Sequence, residues 1–216
     1  MPDSLYWNTV TPLLKEGLLQ LMDEPLFNRF RLVGGTSLSL QVGHRMSVDI
    51  DLFTDAPYGS VNFEELDGYL RSKFQYVSPA KLPDIVAIGV SYILGNNEQD
   101  SFKLDLFYTD NFIRPEVVLE NVRLAAREEI IAMKVDVIQR RGRKKDFWDL
   151  HELLNNYSID EMVALHLERY PYGHDEALIL QKFADFELAD SDFDPVCLKE
   201  KQWQIIKLDF FEALKG

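Results

Sequence analysis

The chain has 216 residues, a formal net charge of −13, and a globular balance of 46% hydrophobic and 27% charged residues, enough for one large domain or a core with a smaller appendage. The charge excludes a general nucleic-acid-binding surface, which has to be cationic, although a local basic patch stays compatible with it. One cysteine excludes an intrachain disulfide; no apolar run is long enough to span a membrane, and the first residues lack a signal-peptide layout, so we expect a cytoplasmic protein without a membrane partner.

The first predicted elements in chain order are two helices and a strand. Leucines recur at helical spacing over residues 6–22, and Thr11-Pro12 marks an alternative start because proline is tolerated in the first helical turn. A short helix is predicted over residues 36–42, after the turn Gly34-Gly35. Residues 48–53 then alternate between apolar and acidic side chains, which predicts a strand.

Two carboxylates, Asp49 and Asp51, lie two positions apart on that strand. Side chains alternate between the faces of a strand, so both project from one face, about 6.6 Å apart along the chain. Such a pair repels unless a cation lies between its members, and Mg²⁺ prefers oxygen ligands and substrate phosphates. Alternating aspartates also occur on solvated strand faces, and the pair alone leaves that alternative open.

The turn Gly34-Gly35 is followed by the hydroxyl residues Thr36 and Ser37. Glycine lets a backbone approach a phosphate closely, and the first N–H groups of a helix attract anionic oxygens. A Gly-Gly pair before a helix is often only a turn, but together with the acidic pair it predicts a site for a metal-bound nucleotide phosphate. We also expect His44, just beyond the short helix, to contact the substrate.

A third acid interrupts the second of two downstream strands, which are predicted over residues 84–94 and 101–108 and joined as a hairpin. Asp105 shares its strand face with Lys103, whereas the opposite face is apolar. Asp105 therefore either pairs with Lys103 or a neighbouring strand, or supplies a third metal carboxylate beside Asp49 and Asp51.

The remaining predicted helices cover residues 63–74, 126–140, 147–154, 159–169, 175–183 and 198–214, and Asn62 and Ser158 are predicted caps. The acidic stretch 184–195 is expected to be a solvated loop. Residues 140–145 form a dense basic run, which is either a solvated helix end or a footprint for phosphates. Lys134 lies on an apolar-faced helix and either extends to solvent or requires an anion.

Two segments resemble a known family. GGTSLSLQVGHRMSVDIDLF, residues 34–53, resembles the signature of the polymerase-beta-type nucleotidyltransferase superfamily. More narrowly, it resembles the AbiEii/AbiGii-type nucleotidyltransferase toxins of bacterial toxin–antitoxin and phage-defence systems. AAREEIIAMKVDVIQRRGRKKDFWDLHELL, residues 125–154, resembles the second block of that family, in which a helical lysine precedes a basic turn and a Lys-Asp pair.

The resemblance implies roles for particular residues. It favours Asp105 as a metal ligand and catalytic residue beside Asp49 and Asp51, with Mg²⁺ or Mn²⁺ as the cofactor. It also implies that Lys134 contacts the nucleotide phosphates as a catalytic residue and that Asp146 anchors the pocket, although Asp146 is also a natural N-cap. The predicted nucleotide-binding set is Gly34, Gly35, Thr36, Ser37, Lys134 and Asp146.

We therefore expect an α+β fold with a small mixed β-sheet flanked by helices. Residues 1–115 are predicted to form a nucleotidyltransferase core with an N-terminal helix, and 116–216 a mostly helical part that closes the active site. The expected reaction moves a nucleoside monophosphate from an NTP to an acceptor, for which the resemblance implies RNA or tRNA, with an antitoxin protein as partner. Two alternatives stay open: nucleotidylation of a small molecule, which fits the acidic charge slightly better, and a catalytically idle scaffold for partner binding.

Overall fold

A mixed β-sheet organises the computed structural model, which describes residues 4–79, 81–83 and 87–215. The seven strands found in these residues are arranged in the order β3-β4-β5-β2-β1-β7-β6. They are β1 (Arg31–Leu32), β2 (Asp49–Thr54), β3 (Tyr76–Ser78), β4 (Gly89–Gly95), β5 (Ser101–Tyr108), β6 (Val117–Leu119) and β7 (Val122–Leu124). β2 runs parallel to β5 and antiparallel to β1, which places these strands at the centre of the sheet.

The helices precede, interrupt and follow the sheet. They are α1 (Pro12–Asp23), α2 (Gly34–Val42), α3 (Phe63–Lys73), α4 (Arg127–Arg141), α5 (Lys144–Leu153), α6 (Ile159–Arg169), α7 (Glu176–Phe183), α8 (Glu187–Asp190) and α9 (Trp203–Ala213), with 3-10 turns at Trp7–Thr9 and Pro25–Phe27. Among the described residues, no helix is long and apolar enough to cross a membrane.

Two hydrophobic clusters meet at α2. One packs α1 and α3 against the sheet, and the other joins α4 to the helices that follow it. Leu40 of α2 belongs to the first cluster and Leu38 to the second. Because α2 contacts both clusters, its glycine-rich first turn is fixed where the sheet meets the helical part.

The predicted α+β class is confirmed, and several caps are observed as predicted. α1 begins at Pro12, where the Thr11 side chain accepts a hydrogen bond from the N–H of Leu14 at 3.2 Å. Asn62 and Ser158 cap α3 and α6. The strand predicted over residues 84–94 is β4 from Gly89 onward, and its residues 84–86 lie outside the described part of the chain.

Two predictions for the last third of the chain were wrong. The stretch 184–195 is not simply a solvated loop, because it contains α8 and buries Phe186 and Ala189 against the helical cluster. The last helix begins at Trp203 and not at residue 198, since the N–H of Leu198 donates to the C=O of His44 at 2.9 Å. That bond fixes Leu198 beside His44, and Glu200 then takes a positive φ before α9 begins.

The sheet also extends past residue 115, the predicted end of the core. β7 lies parallel to β1 through the pairing of Leu32 with Leu124, and β6 pairs with β7 at the sheet edge. The turn between β6 and β7 uses positive φ angles at Glu120 and Asn121. The first residues beyond position 115 therefore add two strands before the chain becomes helical.

Candidate active site

The side chains of Asp49, Asp51 and Asp105 project from one face of the sheet. The register of the parallel strands β2 and β5 places Asp51 beside Asp105 and Asp49 beside Lys103. The apolar residues that alternate with them are buried on the opposite face, at Ile50, Leu52, Leu104 and Leu106. Alternation along two paired strands thus brings together the three acids that the sequence identified.

The three acids influence one another electrostatically. The pKa of Asp51 is raised to about 6, first by burial and then by the nearby carboxylates of Asp105 and Asp49. Lys134 and Lys145 act in the opposite direction without overcoming these effects. Mutual repulsion of this kind is what a bound cation relieves.

The oxygen atoms available here fit a hard divalent cation. Oδ1 of Asp105 is buried and lacks a hydrogen-bond partner, so it is an orphaned acceptor, and carboxylate oxygens are the ligands that Mg²⁺ prefers. Its other oxygen, Oδ2, accepts a hydrogen bond from Lys103 Nζ at 2.6 Å. Within the described residues, no group of three or more Asp, Glu, His or Cys side chains is preassembled to hold a metal ion. A cation bound by Oδ1 would share the carboxylate of Asp105 with the Lys103 ammonium.

Gly34 turns the chain from β1 into α2 directly beside Asp51. Its φ of +68° lies in the left-handed region that favours glycine, and a Cβ added there would lie 2.5 Å from Oδ2 of Asp51. A Cβ at Gly35 would lie 2.2 Å from Nη2 of Arg45. The N-terminal turn of α2, with its unpaired N–H groups, can therefore approach both charged side chains closely.

The hydroxyls of Thr36 and Ser37 are buried beneath this turn. Thr36 Oγ1 donates to the C=O of Asp49 and lies 2.8 Å from Ser47 Oγ, while Ser37 Oγ accepts from Gln41 Nε2 at 3.3 Å. The Thr36 bonds brace α2 against the start of β2, and the Ser37 bond lies within α2. They leave the backbone N–H groups of the turn as the donors suited to the predicted phosphate contact.

Lys134 is buried and has two anion partners. Its Nζ lies 2.6 Å from Oδ1 of Asp146 and 2.8 Å from Oδ2 of Asp149. Burial opposes the charge, but the two carboxylates outweigh it and hold the pKa of Lys134 above its ordinary value. Lys134 is therefore a fixed cation close to Asp51, and its contact with nucleotide phosphates stays a prediction.

Asp146 bonds to the first turn of α5 as well as to Lys134. Its Oδ2 accepts a hydrogen bond from the N–H of Arg143, the N-cap residue, at 3.0 Å. Asp146 is thus the third residue of the helix rather than its N-cap. α5 begins at Lys144, three residues earlier than predicted, because this capping bond extends the helix into the basic run.

Asp149 is the residue that the sequence analysis missed. It is fully buried and accepts hydrogen bonds from Arg45 Nε at 2.6 Å, Arg45 Nη2 at 2.8 Å and His44 Nε2 at 2.7 Å, in addition to its contact with Lys134. Burial opposes its ionisation, but Arg45 and Lys134 hold the pKa of Asp149 well below its usual range. The sequence signal was its place three positions after Asp146, one turn further along α5.

His44 does not contact the open face of the site, and the expectation that it would do so was wrong. Its side chain is completely buried against Asp149, and burial lowers its pKa. A partly exposed cation, Lys145, instead reaches the acidic pair, with its Nζ 4.0 Å from Oδ2 of Asp49. Lys145 belongs to the basic run that the sequence singled out.

The sheet, the glycine turn and the acids together define a nucleotidyltransferase fold, and solved structures share it. MenT4, a nucleotidyltransferase toxin from Mycobacterium tuberculosis, superposes with a TM-score of 0.59 at 15% identity, covering 94% of this chain and 82% of that one. JHP933 from Helicobacter pylori superposes with a TM-score of 0.57 at 20% identity, covering 93% and 88%.

Sequence comparison leads to a particular family. Residues 17–215 match the family model described as nucleotidyl transferase AbiEii toxin, type IV TA system. The chain belongs to this family and is a nucleotidyltransferase, as the two resembling segments predicted. An uncharacterised protein from Aquifex aeolicus is 27% identical over 209 residues, which are 92% of each chain.

Proposed function

We propose that this enzyme moves a nucleoside monophosphate from an NTP to an RNA acceptor with the help of Mg²⁺ or Mn²⁺. The observation that carries the proposal is the register of β2 and β5, which sets Asp51 beside Asp105 on the face that also carries Asp49. The orphaned oxygen of Asp105 and the raised pKa of Asp51 support a cation between these groups.

Asp49 and Asp51 would hold two metal ions, and Asp105 would hold one of them. When bound, the metal would neutralise charge on the triphosphate and on the attacking and leaving oxygens. The N–H groups of residues 34–37 would bind the β- and γ-phosphates, and Lys134 would add positive potential beside them.

The chemical step is a substitution at the α-phosphorus. The acceptor hydroxyl oxygen forms a bond to that phosphorus, and the bond between it and the oxygen bridging to the β-phosphorus breaks. Pyrophosphate leaves with the electron pair of the broken bond. The carboxylate of Asp105 orients the hydroxyl and accepts its proton. Positioning and electrostatics supply most of the rate enhancement in this class of reaction.

We further propose that residues 116–216 close the site over the core formed by residues 1–115. α4 and α5 support this division, since they supply Lys134, Asp146, Asp149 and the cation of Lys145 that faces Asp49. The boundary would fall between the central strands and the helices, with β6 and β7 as the connection.

The biological role that we propose is that of a bacterial toxin acting in the cytoplasm and opposed by a cognate antitoxin. The family description, which names a type IV toxin–antitoxin system, supports this role. A second candidate, nucleotidylation of a small molecule, is favoured by the net charge of −13, because such an acceptor needs no cationic surface.

The test is incubation of the purified protein with each α-labelled NTP, Mg²⁺ and total cell RNA. We expect labelled RNA from the wild type, none from D49N or D51N, and normal labelling from the control D23N, which alters an exposed aspartate at the end of α1. Transfer by D51N at the wild-type rate would contradict the mechanism. Unlabelled RNA together with a labelled small acceptor would favour the second candidate, and calorimetry without metal-dependent NTP binding would favour the scaffold.

A further inference from the structure

A cavity of about 380 Å³ opens beside Asp49. Its walls come from residues 45–49, from Arg143 and Lys145 at the start of α5, and from residues 192–196. Asp51, Asp105 and residues 34–37 do not line it. The cavity therefore shares Asp49 with the proposed active site, and Arg45 connects its wall to Gly35 of the glycine turn.

The aromatic side chain of Phe193 lines this cavity. Phe193 is 99% exposed, and the neighbouring side chains of Val48 and Val196 are also exposed. The segment that carries Phe193 is nevertheless tied down, because the N–H of Met46 donates to the C=O of Val196 at 2.8 Å and Cys197 forms a β-bridge with Arg45. The structure thus presents an aromatic side chain to solvent on a fixed backbone.

Cations lie next to this ring. The guanidinium of Arg143 is 62% exposed, with Asp192 at 3.7 Å, and Lys145 lies across from Asp49. The other two acidic residues that line the cavity both bind Lys144. Its backbone N–H donates to Asp192 at 3.0 Å, and its ammonium group donates to Asp194 at 2.9 Å. The contacts of Arg143 and Lys145 with these acids are long, at 3.7 and 4.0 Å, and both cations keep an exposed surface for an anionic ligand, although the chain as a whole is acidic.

We propose that this cavity is the acceptor subsite, in which Phe193 stacks on an unpaired base of a nucleic-acid strand while Arg143 and Lys145 bind its backbone phosphates. An exposed aromatic ring beside cations is the combination that binds single strands with little sequence preference. A strand bound there would present its terminal hydroxyl toward Asp49. This inference rests on the proposed function and specifies the acceptor as an unpaired strand end.

The cavity suits the acceptor better than the NTP. The triphosphate is expected at Gly34 beside Asp51, whereas the cavity is lined by Asp49 at the start of β2 and by the residues just before it. The acceptor and the NTP have to approach the metal-binding carboxylates from different sides for an in-line displacement. A polynucleotide also offers successive phosphates, which matches two cations two positions apart, Arg143 at the N-cap of α5 and Lys145 in its first turn.

The experiment measures binding first, without NTP, so that it is independent of catalysis. A fluorescently labelled short RNA with an unpaired 3′ end is titrated with wild type, F193A, F193W and R143Q, and its anisotropy is followed at low salt. We expect about tenfold weaker binding for F193A, near-normal binding for F193W, and a reduced salt dependence for R143Q. The matched controls are Y172A, at a tyrosine 104% exposed, and R29Q, at an exposed arginine.

Kinetics then separate the two substrates. F193A should raise the KM for the RNA acceptor about tenfold and leave the KM for the NTP unchanged, and the same RNA in a blunt duplex should be a poor ligand. Equal RNA binding by F193A and Y172A would overturn the inference, as would no wild-type binding or a rise in the NTP KM alone. RNA binding that depends on Phe193 without any nucleotidyl transfer would instead count against the proposed function. Titration with single-stranded DNA of the same sequence shows whether the subsite recognises the 2′-hydroxyl.

Discussion

Asp51 and Asp105 occupy directly paired positions on the parallel strands β2 and β5. Burial and the carboxylates of Asp105 and Asp49 raise the pKa of Asp51 from 3.8 to about 6. A carboxyl whose pKa is higher in the folded state than in the unfolded state favours folding only while it is protonated. Ionised Asp51 therefore destabilises the metal-free protein, and this cost develops between about pH 4 and pH 7.

D51N should accordingly stabilise the metal-free protein in a pH-dependent way. Asparagine resembles the protonated carboxyl, so the free energies of unfolding of D51N and wild type should be similar near pH 4. As the pH rises through about 6, the free energy of unfolding of D51N should increasingly exceed that of the wild type. The difference should level off above pH 7. Urea unfolding in the presence of a chelator measures the difference. A constant difference between pH 4 and pH 8 would show that Asp51 does not titrate in this range.

Lys103 competes with a metal for Asp105, since its Nζ lies 2.6 Å from Oδ2. K103M removes that cation and should raise the affinity for Mn²⁺ by about threefold to tenfold, the scale of one partly exposed charge interaction. Electron paramagnetic resonance of free Mn²⁺ provides the measurement. K73M, at an exposed lysine in the last turn of α3, should leave the affinity unchanged. Weaker Mn²⁺ binding by K103M would mean that Lys103 supports the site.

Gly34 should not tolerate a side chain. G34A combines a φ of +68° with a Cβ only 2.5 Å from Asp51, so we expect a loss of about 1–3 kcal/mol of stability and of most transfer activity. The control is G68A on α3, where an added Cβ meets no atom within 4 Å. That variant should gain about 0.5–1 kcal/mol, because alanine favours a helix interior. Thermal unfolding and RNA labelling test both, and an active, stable G34A would contradict this geometry.

Asp149 should be essential for stability. D149N leaves the buried Arg45 and Lys134 with less compensating charge, and breaking a buried ion pair in this way costs about 3–5 kcal/mol. The comparison is E168Q, which breaks the exposed pair of Arg114 with Glu168 and should cost about 0–1 kcal/mol. Chemical denaturation measures both. Similar stability losses in the two variants would show that the buried network contributes little.

The sequence predicted what depends on local patterns. Alternation placed Asp49 and Asp51 on one strand face, and the capping residues Thr11, Asn62 and Ser158 marked helix starts that the structure contains. Strands β6 and β7 are three residues each, too short for a periodic signal. The segment before α9 looked helical, yet Val196, Cys197 and Leu198 bond to residues 44–46, and Glu200 has a positive φ, so the helix starts only at Trp203.

Within the site, the three acids and the glycine turn were predictable from the sequence. The pairing of Arg45 with Asp149 was not, because it joins residues 104 positions apart and neither residue stands out by its neighbours. Lys134 was identified as needing an anion, but its partners became clear only when α4 was packed against α5. The fully exposed Phe193 has no sequence signal, since an isolated phenylalanine in an acidic stretch does not reveal its exposure.

The carboxylate of Asp149 receives bonds from the segment before β2 and from α4 while lying on α5 itself. For the proposed toxin role, selection for cells that survive forced expression of this gene would therefore recover two kinds of escape mutation. Some would alter the acids on the sheet face and yield abundant, inert protein. Others would alter Asp149 or the residues that bond to it. These variants would be found at low abundance in the cell, because proteases degrade destabilised protein.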